Sequence, residues 1–94
     1  MATGSNAAPV QAFDGCPAVI VEVFGDRAAD ACYVAWRESS YRAGATGSRG
    51  EKGYFQIHPV HGAKSTYDPY LNTLYAYQMS NGGWNWCPTW GWTC

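Results

Sequence analysis

A helix-period series of small residues constrains the fold more than any other feature of this sequence. After Asp26, small apolar residues recur at the three- and four-residue spacing of one helix face, namely Ala28, Ala31, Cys32 and Ala35. A side of this kind favours burial. The pattern therefore predicts a helix that begins near Asp26 and packs this side inward. Its opposite side is predicted to carry Asp30, Tyr33 and Arg37.

Glu38 continues this series at the end of the predicted helix. At about 100° per residue it projects within roughly 20° of Ala31 and 60° of Ala35. A carboxyl group that closes an apolar stripe is partly desolvated, which suits a general acid that works near neutral pH. The alternative is that Glu38 caps the helix end or pairs with Arg42 at the i+4 position. Periodicity alone leaves both interpretations open.

The chain before this helix divides at about residue 15. Residues 1–15 are rich in Ala, Gly, Ser, Asn and Pro without periodicity, and we predict a flexible lead-in there and a single folded domain over residues 16–94. Pro17 suits a first helical turn. The apolar run 18–24 fits a helix or a strand, and we interpret it as a short helix. Gly25 is predicted to end it and Asp26 to cap the next one.

A glycine-rich stretch follows. Glycine occupies every third position from 44 to 53, and this spacing differs from that of a phosphate-binding P-loop. We predict a loop or loose hairpin over residues 39–52. Most of the Lys and Arg residues lie in or near it, either as a solvated loop or as a mildly basic rim beside a cleft.

The stretch ends in Gly53-Tyr54-Phe55-Gln56-Ile57. Glycine allows a close backbone approach, the aromatic rings can pack or stack, and Gln56 offers both a donor and an acceptor. His58 and His61 follow at three-residue spacing. Pro59 interrupts a helix between them and no third ligand is evident, so neither a metal site nor a cofactor is predicted.

A second long helix is predicted to start at Asp68-Pro69, with Asp68 as its cap and Pro69 in its first turn. Its apolar positions keep helical spacing until Asn81-Gly82-Gly83, and we predict that the helix is mostly core. Tryptophans crowd the tail that follows. They either compensate for a thin core or bind sugar, because indole offers a face to sugar C–H groups. Packing is predicted for Trp84 and Trp86, and partial exposure for Trp90 and Trp92.

Four cysteines suit a small domain that needs covalent ties. They allow three pairings in two disulfides, and we prefer Cys32 with Cys87 and Cys16 with Cys94. Disulfides predict an oxidising place of work, which is extracellular, at the cell wall, or in a phage particle. The start carries no signal-peptide pattern, so we expect a mature or excised domain.

The charge balance argues against two classes of partner. Six Lys and Arg residues against seven Asp and Glu residues favour neither nucleic acid nor a membrane surface. No apolar run approaches the roughly 20 residues that span a bilayer. With 94 residues, the chain is expected to be a soluble monomer of one domain.

Five sequence elements occur in an order that resembles a known family. They are Glu38-Ser39-Ser40, the glycine-rich loop, Gly53-Tyr54-Phe55-Gln56-Ile57, Asp68-Pro69 with Asn72, and Gly82-Gly83-Trp84-Asn85-Trp86. The order is similar to that of lysozyme-like lytic transglycosylase domains, above all the small ones of actinobacteria and their phages. These are relatives of the soluble lytic transglycosylases and goose-type lysozymes. The resemblance covers residues 18–88 and departs at Arg42-Ala43-Gly44, where Asn-Pro is usual.

The resemblance implies a mainly α fold of the lysozyme-like α+β type, with a loop or short hairpin flanking a glycan cleft. It also implies cleavage of the β-1,4 bond between N-acetylmuramic acid and N-acetylglucosamine in peptidoglycan. Glu38 matches the catalytic residue of the family. The implied substrate contacts are Gln56, Tyr54, Phe55, Ser39, Asn72 and Tyr75.

The number of carboxylates favours one mechanism. Glycosidases ordinarily use two, and only Glu51 lies in a loop that could reach the cleft beside Glu38. A single-carboxylate mechanism fits better, in which Glu38 acts as acid and then as base and the product carries a 1,6-anhydro ring. If Glu51 is a second carboxylate that positions water, the enzyme is a lysozyme-type hydrolase. A non-catalytic wall-binding module is the third alternative.

Overall fold

The computed structural model describes residues 14–86, and within them three α-helices carry the fold. They are α1 (Ala18–Phe24), α2 (Ala28–Ser39) and α3 (Pro69–Met79), with 3-10 turns at Gly25–Arg27 and Pro59–Lys64. Residues 14–86 contain no β-strand, and antiparallel pairing is limited to single bridges from Lys52 to Thr46 and to Ile57. The prediction of a mainly helical fold is confirmed. None of the described helices has the length and apolar character needed to cross a membrane.

Helix α1 confirms the interpretation of the apolar run as a helix. It buries Ile20 and Phe24 and ends at Gly25, whose φ of 53° a residue with a side chain adopts less readily. The predicted cap at Asp26 is wrong. Asp26 lies in the 3-10 turn, and Arg27 occupies the position before α2 without a side-chain cap hydrogen bond.

Helix α2 buries the predicted series of small residues. Ala31, Cys32 and Ala35 are completely inaccessible to solvent. Helix α1 packs against α2 and also against α3. The small side chains of α2 let α1 approach it closely. Ser40 ends α2 in the left-handed conformation, and its N–H donates to the Trp36 carbonyl.

Helix α3 begins as predicted. Asp68 Oδ1 accepts a hydrogen bond of 2.9 Å from the Leu71 N–H, and Pro69 follows in the first turn. The helix ends before Asn81, Gly82 and Gly83, which all have positive φ. The prediction that it is mostly core is wrong. It buries Asn72, Thr73 and Ala76, whereas other side chains, Leu71 among them, remain exposed.

One disulfide joins Cys16 to Cys32, with 5.8 Å between the two Cα atoms. The preferred pairing of Cys32 with Cys87 and Cys16 with Cys94 is therefore wrong. The reason is the packing of α1 on α2, which brings Cys16, two residues before α1, beside the core face of α2. Cys87, Cys94, Trp90, Trp92 and the lead-in up to residue 13 lie outside the described residues.

Candidate functional site

A cavity of about 360 Å³ lies between α2 and the segment that follows α3. Helix α2 contributes Asp30, Tyr33, Val34, Arg37 and Glu38, and the later segment contributes Trp84, Asn85 and Trp86. The volume falls near the lower end of the range for ligand pockets, roughly 300 to 1,000 Å³. Two carboxylates, one guanidinium group and three aromatic rings are therefore found in the lining of the same cavity.

The cavity lining includes both Glu38 and residues of the opposite side of α2, Asp30 among them. At about 100° per residue, Glu38 lies about 80° from Asp30 around the helix. It therefore stands at the boundary between the buried face and the polar face. The cavity reaches across that boundary and brings Glu38 together with Tyr33 and Arg37.

Glu38 is half-buried and sits one residue before the end of α2. Ser40 and Tyr41, which follow Glu38 after one intervening residue, have φ values of 53° and 63°. Two consecutive non-glycine residues in the left-handed region are uncommon, and such conformations cluster at functional sites. This backbone turns the chain away directly after Glu38.

Trp86 forms the inner wall of the cavity. Its ring packs against two phenylalanines, with centroids 5.5 Å from Phe24 and 5.8 Å from Phe55, and these two rings also contact each other at 5.6 Å. Phe55 is completely buried, so residues 53–57 support this wall from behind. The predicted packing is confirmed for Trp86. It is wrong for Trp84, which is 71% exposed and carries the Arg27 guanidinium over its ring, 4.0 Å from the centroid.

Asn72 on α3 fixes the loop that carries Phe55. Its Oδ1 accepts from the Phe55 N–H at 2.9 Å, and its Nδ2 donates to the carbonyls of Lys52 and Thr66. The side chain is inaccessible to solvent. Gly53 makes this fit possible, because its φ is 82° and a Cβ there would lie 2.9 Å from the Thr66 carbonyl oxygen.

Gln56 holds the glycine-rich loop against the segment 53–57. Its Nε2 donates to the carbonyls of Ala45 at 3.0 Å and Gly53 at 2.9 Å. The backbone φ of Gln56 is 50°. Its Oε1 approaches Gly47 so closely that a Cβ on Gly47 would lie 2.6 Å from it. The side chain therefore connects two backbone segments through its amide group.

Glu51 lies in this loop as an ionised carboxylate. A hydrogen bond from its own backbone N–H and one from the Arg49 N–H hold the pKa of Glu51 below its usual value, outweighing the opposite effect of partial burial. The Arg49 bond measures 2.9 Å to Oε1. The positive charge of Arg49 acts in the same direction.

The residues predicted to contact substrate lie outside the lining of the cavity. Ser39 is buried and its Oγ donates to the Ala35 carbonyl. Tyr54 and Tyr75 pack half-buried against the core. The lining includes none of these three, nor Gln56, Phe55, Asn72 and Glu51. Their contact with substrate stays a prediction.

Sequence reasoning did not connect Glu38 with Asp30, Tyr33 and Arg37, which line the same cavity. Asp30, Tyr33, Arg37 and Glu38 recur at intervals of three, four and one along α2, and this spacing places them on one broad side of a helix. That spacing was the available signal. Residues 84–86 close the cavity. Their position depends on the contact of Trp86 with the Phe24 and Phe55 rings.

His58 has a local structural role at the start of a turn. His58 Nδ1 accepts from the Val60 N–H at 3.0 Å and begins the 3-10 turn. Within residues 14–86, His, Cys, Asp and Glu side chains form no group of three or more that could hold a metal ion.

Comparisons with known proteins returned no match: no protein-family profile, curated protein or solved structure matches this chain. The residues of the cavity and their geometry are therefore the basis for assigning a function.

Proposed function

We propose that this protein cleaves peptidoglycan, at the β-1,4 bond between N-acetylmuramic acid and N-acetylglucosamine, as a lytic transglycosylase. The observation that carries the proposal is the position of Glu38 in a cavity walled by Tyr33, Trp84 and Trp86. Aromatic faces suit the C–H faces of sugar rings, and a carboxyl group beside them can reach a glycosidic oxygen. The sequence resemblance to lysozyme-like lytic transglycosylase domains supports the same reaction.

In the proposed mechanism, Glu38 serves first as acid and then as base. Its carboxyl proton passes to the glycosidic oxygen as the bond to C1 of the muramoyl residue breaks, so that N-acetylglucosamine leaves as an alcohol. The muramoyl N-acetyl group stabilises the positive charge at C1. The Glu38 carboxylate then takes the proton of the 6-hydroxyl, whose oxygen bonds to C1. The ring closes to a 1,6-anhydro product without water, and Glu38 regains its proton.

The arrangement of carboxylates favours this mechanism over hydrolysis. Glu51, the candidate second carboxylate, does not line the cavity with Glu38 and is held by the Arg49 N–H. Asp30 does line it, but it lies eight positions before Glu38 on the helix, which corresponds to about 12 Å along the axis. Two-carboxylate glycosidases need separations of roughly 5 to 9.5 Å.

The test compares Glu38→Gln with the wild type on purified cell walls. We expect the release of soluble fragments to fall at least about 100-fold, because the amide cannot donate the proton that the leaving group needs. Glu22→Gln is the matched control, since Glu22 is an exposed residue of α1 outside the cavity lining. Full release of fragments by Glu38→Gln would refute the catalytic role.

Mass analysis of the released fragments distinguishes the remaining alternatives. Anhydromuramoyl ends are expected for a transglycosylase. Reducing ends alone would indicate a lysozyme-type hydrolase. Sedimentation with insoluble walls without any release of fragments would indicate a wall-binding module instead.

A further inference from the structure

The turn that follows α3 ties the cavity wall to the end of that helix. The Ser80 carbonyl accepts hydrogen bonds from the N–H groups of Gly83, Trp84 and Asn85, at 3.2, 2.9 and 2.8 Å. The Ser80 hydroxyl accepts a further bond of 2.9 Å from the Gly83 N–H. Ser80 is completely buried. The position of Trp84 beside the cavity therefore depends on the backbone conformation of this turn.

Asn81 gives the turn its direction. Its N–H donates to the Gln78 carbonyl at 3.2 Å, and the Gly82 N–H donates to the Tyr77 carbonyl at 2.7 Å. These two bonds form a Schellman motif, which needs a residue in the left-handed conformation directly after the helix cap. Asn81 fills this position with a φ of 54°, which asparagine adopts more readily than most residues with a side chain. Its side chain is exposed to water.

The same two residues are chemically reactive toward each other. The backbone nitrogen of a residue can attack the side-chain amide carbon of a preceding asparagine, and glycine leaves that nitrogen least hindered because it has no Cβ. The sequence has one Asn-Gly pair, at Asn81-Gly82. In the folded turn the Gly82 N–H is bonded to the Tyr77 carbonyl, so attack has to wait until this bond opens. Helix ends open at a lower free-energy cost than the core.

We propose that Asn81 is a site of spontaneous conversion to aspartate and isoaspartate, controlled by the opening of the turn after α3. In the first step the Gly82 nitrogen bonds to Cγ of Asn81 and gives up its proton, and the side-chain amide nitrogen leaves as ammonia. Water then opens the resulting succinimide ring. Attack of water at Cγ gives aspartate, whereas attack at the main-chain carbonyl carbon gives isoaspartate.

The two products differ in their effect on the cavity. Isoaspartate carries the main chain through one additional carbon atom, so the bonds from residues 81 and 82 to α3 cannot both form. The N–H groups of Gly83 and Trp84 then lose their alignment with Ser80, and the cavity wall shifts. Aspartate keeps the normal main chain and therefore the wall. A loss of cleavage on conversion rests on the proposed function, whereas the conversion itself does not.

The first experiment locates the conversion by mass. The protein is incubated in mildly alkaline buffer, reduced and digested with trypsin, and peptide 65–94 is fragmented to find where an NH2 group has been replaced by OH. We expect this change at Asn81 and not at Asn85, which is also exposed but precedes the bulky Trp86. In urea the change at Asn81 should be at least about tenfold faster, because the turn is open.

Two results would overturn the inference. If Asn81 stays unchanged in urea, it is not a site of conversion. If the rates in folded and unfolded protein are equal, the hydrogen bond from Gly82 to Tyr77 does not control the reaction.

The second experiment tests the effect on the cavity wall. Asn81→Gly is the matched control, because glycine keeps the left-handed conformation and has no amide to react. In the incubated wild type, tryptophan fluorescence should change and wall cleavage should fall in proportion to the isoaspartate content, measured by enzymatic carboxyl methylation. Asn81→Gly should keep both. Equal changes in the two proteins would contradict the link to the wall. Fluorescence and mass still decide the inference if the fresh protein cleaves no peptidoglycan, which would be a failure of the proposed function alone.

Discussion

At the scale of single residues, the cavity depends on side chains that lie outside its lining. Asn72 uses both ends of its amide to hold the backbone at Phe55, Lys52 and Thr66. This contact in turn requires Gly53 to have no side chain. A buried amide of this kind stabilises only while all of its partners stay paired, because each unpaired group costs about 1 to 3 kcal/mol.

Replacement of Gly53 by Ala is expected to destabilise the fold by about 2 kcal/mol or more. Its φ of 82° is unfavourable for alanine, and the added Cβ would lie 2.8 Å from Asn72 Cγ. Chemical denaturation measures the change in the free energy of unfolding. Gly44→Ala is the matched control, because a Cβ at Gly44 meets no atom within 4 Å. A loss of stability in Gly44→Ala as large as that in Gly53→Ala would contradict this explanation.

Glu51 gives the protein a pH dependence at the acid end. Its pKa in the folded protein is below the usual 4.5, so its carboxylate stabilises the fold fully above that value. This stabilisation is lost as the pH falls through the lowered pKa. We therefore expect the wild type to be more stable than Glu51→Gln at pH 7, by a margin that disappears in acid. Urea denaturation over a pH series tests this, and a constant margin would contradict it.

At the scale of elements, α2 combines two surfaces. Its small residues are buried against the core, and its other side lines the cavity from Asp30 to Glu38. The disulfide fastens Cys32 on the buried surface to Cys16, just before α1. By joining residues 16 positions apart, such a link removes about 3 kcal/mol of chain entropy from the unfolded state. The helix that carries Glu38 is thereby tied to its neighbour.

Peptide mapping tests the pairing of the cysteines. Cleavage after Arg27, Arg37 and Lys64 places Cys16 in peptide 1–27 and Cys32 in peptide 28–37. Trypsin digestion of the unreduced, alkylated protein should therefore yield peptides 1–27 and 28–37 joined by a disulfide. A link from peptide 28–37 to peptide 65–94, which contains Cys87 and Cys94, would contradict the observed pairing.

At the scale of the whole molecule, one aromatic stack joins parts that are distant in sequence. Trp86 contacts both Phe24 of α1 and Phe55 of the loop, and Tyr77 of α3 contacts the Phe24 ring at 5.3 Å. The same stack fills the core and supports the cavity wall. In a domain this small, a single large ring therefore provides much of the available stability.

Replacement of Phe55 by Ala is expected to lower the free energy of unfolding by about 3 to 5 kcal/mol. That is a large share of the roughly 5 to 15 kcal/mol of a typical domain. Thermal or urea denaturation followed by tryptophan fluorescence measures it. Val60→Ala is the control, because Val60 is 76% exposed. A change of less than about 1 kcal/mol in Phe55→Ala would contradict a shared core and wall.

The sequence by itself determined the helices, because their signals are local. The apolar run before Gly25, the small residues after Asp26 and the cap at Asp68-Pro69 each act within a few neighbouring residues. The mainly helical fold and the bounds of α1 and α3 followed from them. Glu38 was also singled out by local spacing, as a carboxylate at the edge of an apolar face.

The tertiary structure alone decided which of these local features meet. How the helices and loops pack decides the pairing of Cys16 with Cys32, the contact of Trp86 with two phenylalanines and the exposure of Trp84. The same packing turned the Asp30 side of α2 and Glu38 toward one cavity. Contacts between residues far apart in sequence depend on the mutual fit of all packed side chains, which no single stretch of sequence specifies.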